Sequence, residues 1–375
     1  MPKGEPQGSP FPFDGRAMDV IGWDIGGAHV KAARACDGRI EAVAQSACAP
    51  HAGLASLEAA IRETLCAVGA AARHRVTMTA ELSDAFEDRA HGVVAVAAIA
   101  AREIGAADIS YYAGSAGLLP RISVRDHAAA IASANWRVSA ELAARRRSDA
   151  LFVDFGSTTT DLVPIRSGRV DARGATDAER LAAGELAYAG FSRGAPQAYC
   201  RRAPVSGVWV PLVNEAFATM ADVRRVLGDL PDGDCRADLG PTADGRAKSV
   251  AAAQARLIRL IGADAGAFDT GAIRAFADFL ARAQLRAIED QIAVIRSRGA
   301  LAPDAPFIGA GVGRILVARL ARALGRDYYD FADFLAAPVA LREAAADCAP
   351  AAALALLDET EIAAPKKVDA GEARD

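Results

Sequence analysis

The feature that most constrains this chain is a short unit that occurs twice. Asp19–Trp23 is a β-type run that ends in Asp24-Ile25-Gly26-Gly27, and a second strand over Lys31–Ala35 returns at once. About 130 residues later the apolar run Leu151-Phe152-Val153-Asp154-Phe155 enters a Gly156-Ser157-Thr158-Thr159-Thr160 turn, and Asp161–Arg166 comes back. Each returning strand is followed by a second turn signal, Asp37-Gly38 and Ser167-Gly168, of the kind that closes tight hairpins. Two copies of one supersecondary unit predict two similar α/β domains that face each other.

The rest of the text fits around these units. In the first half a third strand over Ile40–Ser46 precedes a helix over Leu54–Ala72, a strand over Arg75–Ala80, a helix near Phe86–Ile104 and a strand over Ile109–Ala113. A long helix over Arg125–Arg147 closes it, with Asn135 and Trp136 mid-helix and Trp136 read as core packing. The second half opens on the repeat, then turns irregular over residues 176–242. There Pro196, Pro204, Pro211, Pro231 and Pro241 break any long helix, and the segment reads as an insertion lining the cleft. Helices follow over Ser249–Ile261 and Gly271–Arg298, the latter with Ile273, Phe276, Leu280, Ile288, Ile292 and Ile295 on one face. A strand at Pro306–Ile308, a helix over Arg314–Leu324 and a last helix over Ala340–Leu357 complete the chain. The predicted domains are therefore 19–149 and 150–360. Residues 1–18 read as a disordered leader in which Met18 is an alternative start, and residues 361–375 as a flexible tail.

Composition narrows the function classes. Hydrophobic residues at 52% supply sizeable cores, and a net charge of −4 spread over both halves leaves no basic face for nucleic acid or an anionic membrane. The six cysteines form no Cys-x-x-Cys pair and share no short window with histidine, so neither a zinc site nor a redox dithiol is expected, and a reducing cytoplasm is. The longest uncharged apolar run, Gly92–Ala101, is too short to span a bilayer.

The chemistry sits in three glycine turns. Asp24-Ile25-Gly26-Gly27-Ala28-His29-Val30-Lys31 places uncovered backbone amides between a carboxylate and an ammonium. Asp154-Phe155-Gly156-Ser157-Thr158 repeats the arrangement with hydroxyls. Such amides donate to phosphate oxygens, and a carboxylate beside them can hold Mg²⁺. Gly309-Ala310-Gly311-Val312-Gly313, between a strand and a helix, is a third phosphate or nucleoside turn, and no βαβ unit with a following acidic residue makes it a dinucleotide site. In this order the three turns resemble the phosphate-1, phosphate-2 and adenosine motifs of the acetate kinase/sugar kinase/Hsp70/actin superfamily. The resemblance implies an α/β fold of two ribonuclease-H-like domains clasping a phosphorylated ligand and Mg²⁺. Ala28-His29 stands where nucleotide-using members usually present Thr or Ser, so ATP is not expected as a substrate, although the cleft type admits it.

Four further segments narrow the likeness. Val76-Thr77-Met78-Thr79-Ala80-Glu81-Leu82-Ser83-Asp84-Ala85-Phe86, Ala134-Asn135-Trp136, Gly184-Glu185-Leu186-Ala187-Tyr188-Ala189-Gly190 and Ala243-Asp244-Gly245-Arg246-Ala247-Lys248 resemble the hydantoinase/oxoprolinase-related group tied to tetrahydromethanopterin-linked one-carbon transfer. Within it the likeness is to the methanofuran-pathway synthases. The resemblance implies an alkyl transfer in which an aminomethylfuran diphosphate meets a tyramine- or tyrosine-type phenol, an ether forms and pyrophosphate leaves. It implies that Asp24 and Asp154 hold Mg²⁺. Gly26, Gly27, Gly156, Ser157 and Thr158 would donate to the diphosphate, Lys31 would add charge, and Gly309, Gly311, Arg246 and Lys248 are further phosphate-binding candidates. Glu81 or Asp84 would bind the furan amine or deprotonate the phenol, while Ser83 or Asp84 equally reads as a helix N-cap. His29 is singled out among the five histidines for its place beside the first turn. The partners are small molecules, with a homodimer left open. An ATP-dependent kinase, an oxoprolinase-like amide hydrolase and an Hsp70/actin-type nucleotide-binding scaffold are the alternative functions on the same fold.

Overall fold

The computed structural model describes residues 19–358. The readings made for residues 1–18 and for the tail from residue 359 fall outside the described residues.

The first half runs β1 (Asp19–Ile25), β2 (His29–Cys36), β3 (Arg39–Ala47), α1 (Leu54–Val68), β4 (Arg73–Met78), α2 (Arg89–Ile104), β5 (Asp108–Tyr112), β6 (Leu118–Pro120), α3 (Ala128–Ile131) and α4 (Asn135–Ala144). Its strands form one six-stranded sheet in the order β3-β2-β1-β4-β5-β6. The hairpins β1–β2 and β2–β3 are antiparallel, whereas β4 and β5 join parallel through helical crossovers.

The second half runs β7 (Ala150–Phe155), β8 (Thr160–Arg166), β9 (Arg169–Val170), α5 (Asp177–Ala182), β10 (Leu186–Ala187), β11 (Arg202–Val205), β12 (Val208–Pro211), α6 (Met220–Leu227), α7 (Val250–Arg259), α8 (Thr270–Ser297), β13 (Phe307–Ala310), α9 (Arg314–Ala323), β14 (Tyr328–Asp330), α10 (Val339–Asp347) and α11 (Ala349–Leu356). Its main sheet has the order β10-β8-β7-β13-β14, with β9 also on β8. An antiparallel β7–β8 hairpin followed by parallel β13 and β14 repeats the plan of the first sheet.

Local chemistry accounts for the hairpins. Asp37-Gly38 and Ser167-Gly168 both hold positive φ at two successive residues, the backbone that matches the twist of the flanking strands. A third such pair, Ser206-Gly207, joins β11 to β12 inside the stretch that reads as irregular. That stretch also contains α5, α6 and β10, and β10 extends the main sheet, so it is not wholly an insertion.

Two long helices expected from the sequence are broken. Arg125–Arg147 divides into α3 and α4 at Ser133, whose φ of 48° is left-handed, so Asn135 opens α4 instead of lying mid-helix. Ala340–Leu357 divides into α10 and α11 at Cys348, with Pro350 in the first turn of the new helix, where it costs no hydrogen bond. The N-cap of α2 is Asp88, whose carboxylate accepts from the His91 amide at 2.8 Å. Neither Ser83 nor Asp84 caps that helix. The long α8 is capped by Asp269 and buries the six apolar residues expected on one face.

Two helices lie between the sheets. α4 packs on β7, β8 and β9 of the second sheet, and α11, the end of the described chain, packs on β1, β2 and β4 of the first. They also pack on each other, and one buried apolar cluster runs from Ala33 and Ile40 through Trp136, Phe152 and Ile308 to Leu354. The approach of α11 to β1 is close enough that a Cβ on Gly22 would stand 2.1 Å from the Ala351 carbonyl oxygen. The buried Arg75 secures the far end of α11 by donating to the Leu354 carbonyl at 2.9 Å and to that of Leu357.

Candidate active site

The two Asp-Gly hairpins match residue for residue. In each the glycine amide closes the turn by donating to the carbonyl three residues on, Gly26 to His29 and Gly156 to Thr159, both at 2.9 Å. In each the aspartate lies directly across the ladder from the residue seven positions later, Asp24 opposite Lys31 and Asp154 opposite Asp161. His29 thus corresponds to Thr159, and Lys31 to Asp161. The amides of Gly27 and Ala28 in the first turn, and of Ser157 and Thr158 in the second, donate to no protein acceptor among the described residues. Segment Gly190–Arg193 backs the second turn, since Phe191 donates to the Gly156 carbonyl and Arg193 to that of Ser157, each at 2.9 Å.

Both turns open into one cavity of about 450 Å³. Asp24, Gly26, Gly27, Ala28, His29 and Lys31 line it from the first sheet, and Asp154, Gly156, Ser157, Thr158, Thr159 and Asp161 from the second. Thr79, Ser83, Asp84, Ser133, Asn135, Asp177, Arg180, Tyr188 and Arg193 also line it.

The charges inside are strongly coupled. Burial raises the Asp24 carboxyl above the ordinary aspartate range, and it is pulled back by Lys31 and by Asn135, whose amide reaches its Oδ1 at 3.4 Å. Burial, then repulsion from Asp161, pushes Asp154 up to about 7, with Asp24 and Asp347 adding to the rise and Lys31 opposing it. Burial also raises Asp161, against the pull of the Arg180 guanidinium 2.8 Å away. Arg180 is itself buried and lies 4.1 Å over the Trp136 ring, so Trp136 both packs in the core and seats this arginine. Lys31 donates to the Asp347 carbonyl at 3.2 Å; burial alone would lower its pKa, but Cys348, Asp24, Asp154 and Asp347 leave it raised. His29 is held neutral, down to about 3, by burial and then by Lys31, Arg193 and Lys248.

The other candidates read from the sequence lie elsewhere. Glu81 is 1% exposed and does not line the cavity; its Oε1 accepts from the Ser133 hydroxyl at 2.7 Å, behind the wall. Asp84 is exposed at the cavity. Gly309 and Gly311 do not reach it, and close packing explains both glycines. A Cβ on Gly309 would meet the Tyr328 ring at 2.7 Å, and one on Gly311 would meet Asp154 Oδ1 at 2.3 Å. Gly311 therefore buttresses Asp154 instead of facing a ligand. Arg246 and Lys248 line a second cavity, where Lys248 is paired with Asp234 at 2.6 Å and the exposed Arg246 lies beside Asp244. Asp161, Arg180, Asn135, Asp177 and Arg193 are cavity residues that sequence reasoning did not select. For Asp161 the signal was present, because it holds the same place in the second unit as Lys31 in the first.

Among the described residues no group of three or more His, Cys, Asp and Glu side chains could by itself hold a metal ion. What the cavity offers is two buried aspartates that repel each other beside unused amides. That donor set fits Mg²⁺, which keeps most of its water and binds through one or two carboxylates plus substrate phosphates. No helix among the described residues is long and apolar enough to cross a membrane.

The sequence profile of the hydantoinase/oxoprolinase family matches residues 72–352, well over half of the chain. A curated relative from Methanocaldococcus jannaschii, named (4-{4-[2-(gamma-L-glutamylamino)ethyl]phenoxymethyl}furan-2-yl)methanamine synthase, is 27% identical over 60% of this chain and 66% of its own. Its namesake from Methanococcus vannielii is 34% identical over 26% of this chain and 41% of its own. The matches thus span just under two thirds and about two fifths of those relatives. A nucleotide-free structure of acetone carboxylase is similar with a TM-score of 0.53 at 12% identity, covering 83% of this chain and 68% of that one. The architecture is that of two ribonuclease-H-like domains facing a cleft, the fold of the acetate/sugar kinase–Hsp70–actin superfamily.

Proposed function

The chain belongs to the hydantoinase/oxoprolinase family, and from that premise we propose that it is a transferase of methanofuran-type cofactor biosynthesis. In this reading it joins an aminomethylfuran diphosphate to a phenol of the tyramine or tyrosine type. Support comes from the names of the two related synthases, which spell out an aminomethylfuran linked through a phenoxymethyl ether. The observation that carries the reading is the pair of matched turns, each with unused amides and a buried aspartate, opening into one cavity.

The chemistry balances with these groups. The furan CH₂–O bond breaks with its electron pair leaving on pyrophosphate, the phenol oxygen forms the new bond to that carbon, and the phenolic proton passes to a carboxylate. Charge grows on the leaving group, so fixed donors aimed at it lower the barrier. The amides of Gly27, Ala28, Ser157 and Thr158, with the Lys31 ammonium, would take up that charge. Asp24 and Asp154 would hold Mg²⁺ on the diphosphate, where the ion supplies further charge neutralisation. Asp84, which lines the cavity where Glu81 does not, would accept the phenolic proton. Asp177 and Tyr188, which line the same cavity, would receive the furan ammonium.

The test is to mix the protein with the furan diphosphate, a phenolic amine and Mg²⁺, with and without ATP, and to quantify pyrophosphate and ether. Equal pyrophosphate and ether without ATP support the reading. Turnover that needs ATP and yields ADP assigns the protein to the kinase or amide-hydrolase chemistry of the same fold.

A further inference from the structure

We propose that His29 is a direct ligand of the diphosphate, donating from Nε2 to one of its oxygens, and that it distinguishes the first turn from the second. The inference rests on the reading above and deepens it. His29 begins β2 immediately after the Gly26-Gly27-Ala28 turn, and its side chain lines the cavity while only 8% exposed. Its Nε2 is buried and has no hydrogen-bond partner among the described residues. A buried polar nitrogen without a partner costs on the order of 1–3 kcal/mol, so such a group at a cavity wall calls for a ligand.

The surroundings specify the ligand's charge. Side chains two apart on a strand share a face, which places His29 beside Lys31 on the side that Asp24 also faces across the ladder. Arg193, with no carboxylate paired to its guanidinium among the described residues, lines the same cavity and acts electrostatically on His29; Lys248, in the second cavity and paired with Asp234, adds only a smaller effect. Lys31 and Arg193 beside an imidazole that stays neutral suit the ring to donate a hydrogen bond to an anion instead of a proton. The free amides of Gly27 and Ala28 lie next to it in the chain, so a single oxygen-rich anion can use all of these donors. At the corresponding place the second turn presents Thr159, a shorter side chain whose hydroxyl can both donate and accept. The two phosphates of one diphosphate would therefore meet different donors, imidazole on one side and hydroxyls on the other.

Binding measured by calorimetry separates this inference from the reading beneath it. The probes are inorganic pyrophosphate and ADP, each with Mg²⁺, titrated into the full chain and into His29→Ala and His29→Gln, with folding checked by circular dichroism. Glutamine places an amide nitrogen near the position of Nε2. The expected result is pyrophosphate binding that weakens at least 10-fold in His29→Ala and returns to within about 3-fold of the parent in His29→Gln. Pyrophosphate binding that is equal in the parent and in His29→Ala overturns the role of His29 and leaves the furan diphosphate reading standing. A parent chain that binds no pyrophosphate overturns both. Tighter binding of ADP than of pyrophosphate, with the same loss in His29→Ala, supports the role of His29 and overturns the furan diphosphate as its ligand.

Discussion

Replacing Gly22 by alanine tests how the first hairpin is held against the rest of the molecule. Gly22 lies in β1, two residues before Asp24, under the buried helix α11. A Cβ there would stand 2.1 Å from the Ala351 oxygen, 2.7 Å from the Ala355 nitrogen and 2.9 Å from the Leu354 Cβ. Ordinary contact begins near 3.4 Å, so α11 must retreat by about 1.3 Å. Two of the three obstacles are backbone, and a rotamer change cannot clear them. A gap of that size forfeits much of the dispersion energy along the helix, and the cost falls at the upper end of the range for overpacked cores, about 3 kcal/mol. At roughly 2 °C per kcal/mol for a chain of this size, the main thermal transition should fall by about 6 °C. The assay is a thermal melt followed by circular dichroism, with Gly27→Ala as the control. A Cβ on Gly27 meets nothing within 4 Å, so that variant should melt within 1 °C of the parent. Should Gly22→Ala also melt within 1 °C of the parent, the argument that α11 clamps β1 and the site beside it is wrong.

Three further outcomes follow from the site. Asp24→Asn and Asp154→Asn should each cut ether formation more than 100-fold while the circular dichroism spectrum is preserved; turnover retained by both removes the proposed metal-held diphosphate. Glu81→Gln should lower kcat less than 10-fold and Asp84→Asn by 100-fold or more, since loss of a general base costs about 10²–10⁴, and the reverse order would return Glu81 to the chemistry. The third concerns stability against pH. His29 takes up its proton near 6.5 when unfolded but only at about 3 when folded, so between these values the unfolded chain binds more protons. Its contribution is level above pH 6.5 and is lost as pH falls below it, by about 1.4 kcal/mol per unit. Between pH 7.5 and 5.0 the parent should lose about 2 kcal/mol more than His29→Gln in urea unfolding, and equal losses would show that His29 titrates normally.

How much of this was legible in the sequence depended on how local the cause was. The two hairpins were, because an aspartate at a strand end, a glycine turn and a returning strand all lie within eight residues, and the Asp37-Gly38 and Ser167-Gly168 turns need only their own φ angles. The division of Arg125–Arg147 was not, because Ser133 adopts its left-handed backbone where its hydroxyl bridges Glu81 and Arg89, residues distant in the chain. Gly309 and Gly311 look like a ligand turn by composition, yet their missing side chains make room for Tyr328 and Asp154. Arg180 was hidden for the complementary reason: a lone arginine in a short helix acquires its place only through Asp161 and the Trp136 ring. The return of α11 onto the first sheet joins residues more than 300 positions apart, and no periodicity in the helix itself points to its partner.

The most direct measurement is a crystal structure of the protein with Mg²⁺ and inorganic pyrophosphate. The account predicts one pyrophosphate between the turns, its oxygens within hydrogen-bond distance of the amides of Gly27 or Ala28 on one side and of Ser157 or Thr158 on the other, with Asp24 and Asp154 facing the metal. Pyrophosphate held by one turn alone, or seated in the second cavity beside Arg246 and Lys248, would contradict it.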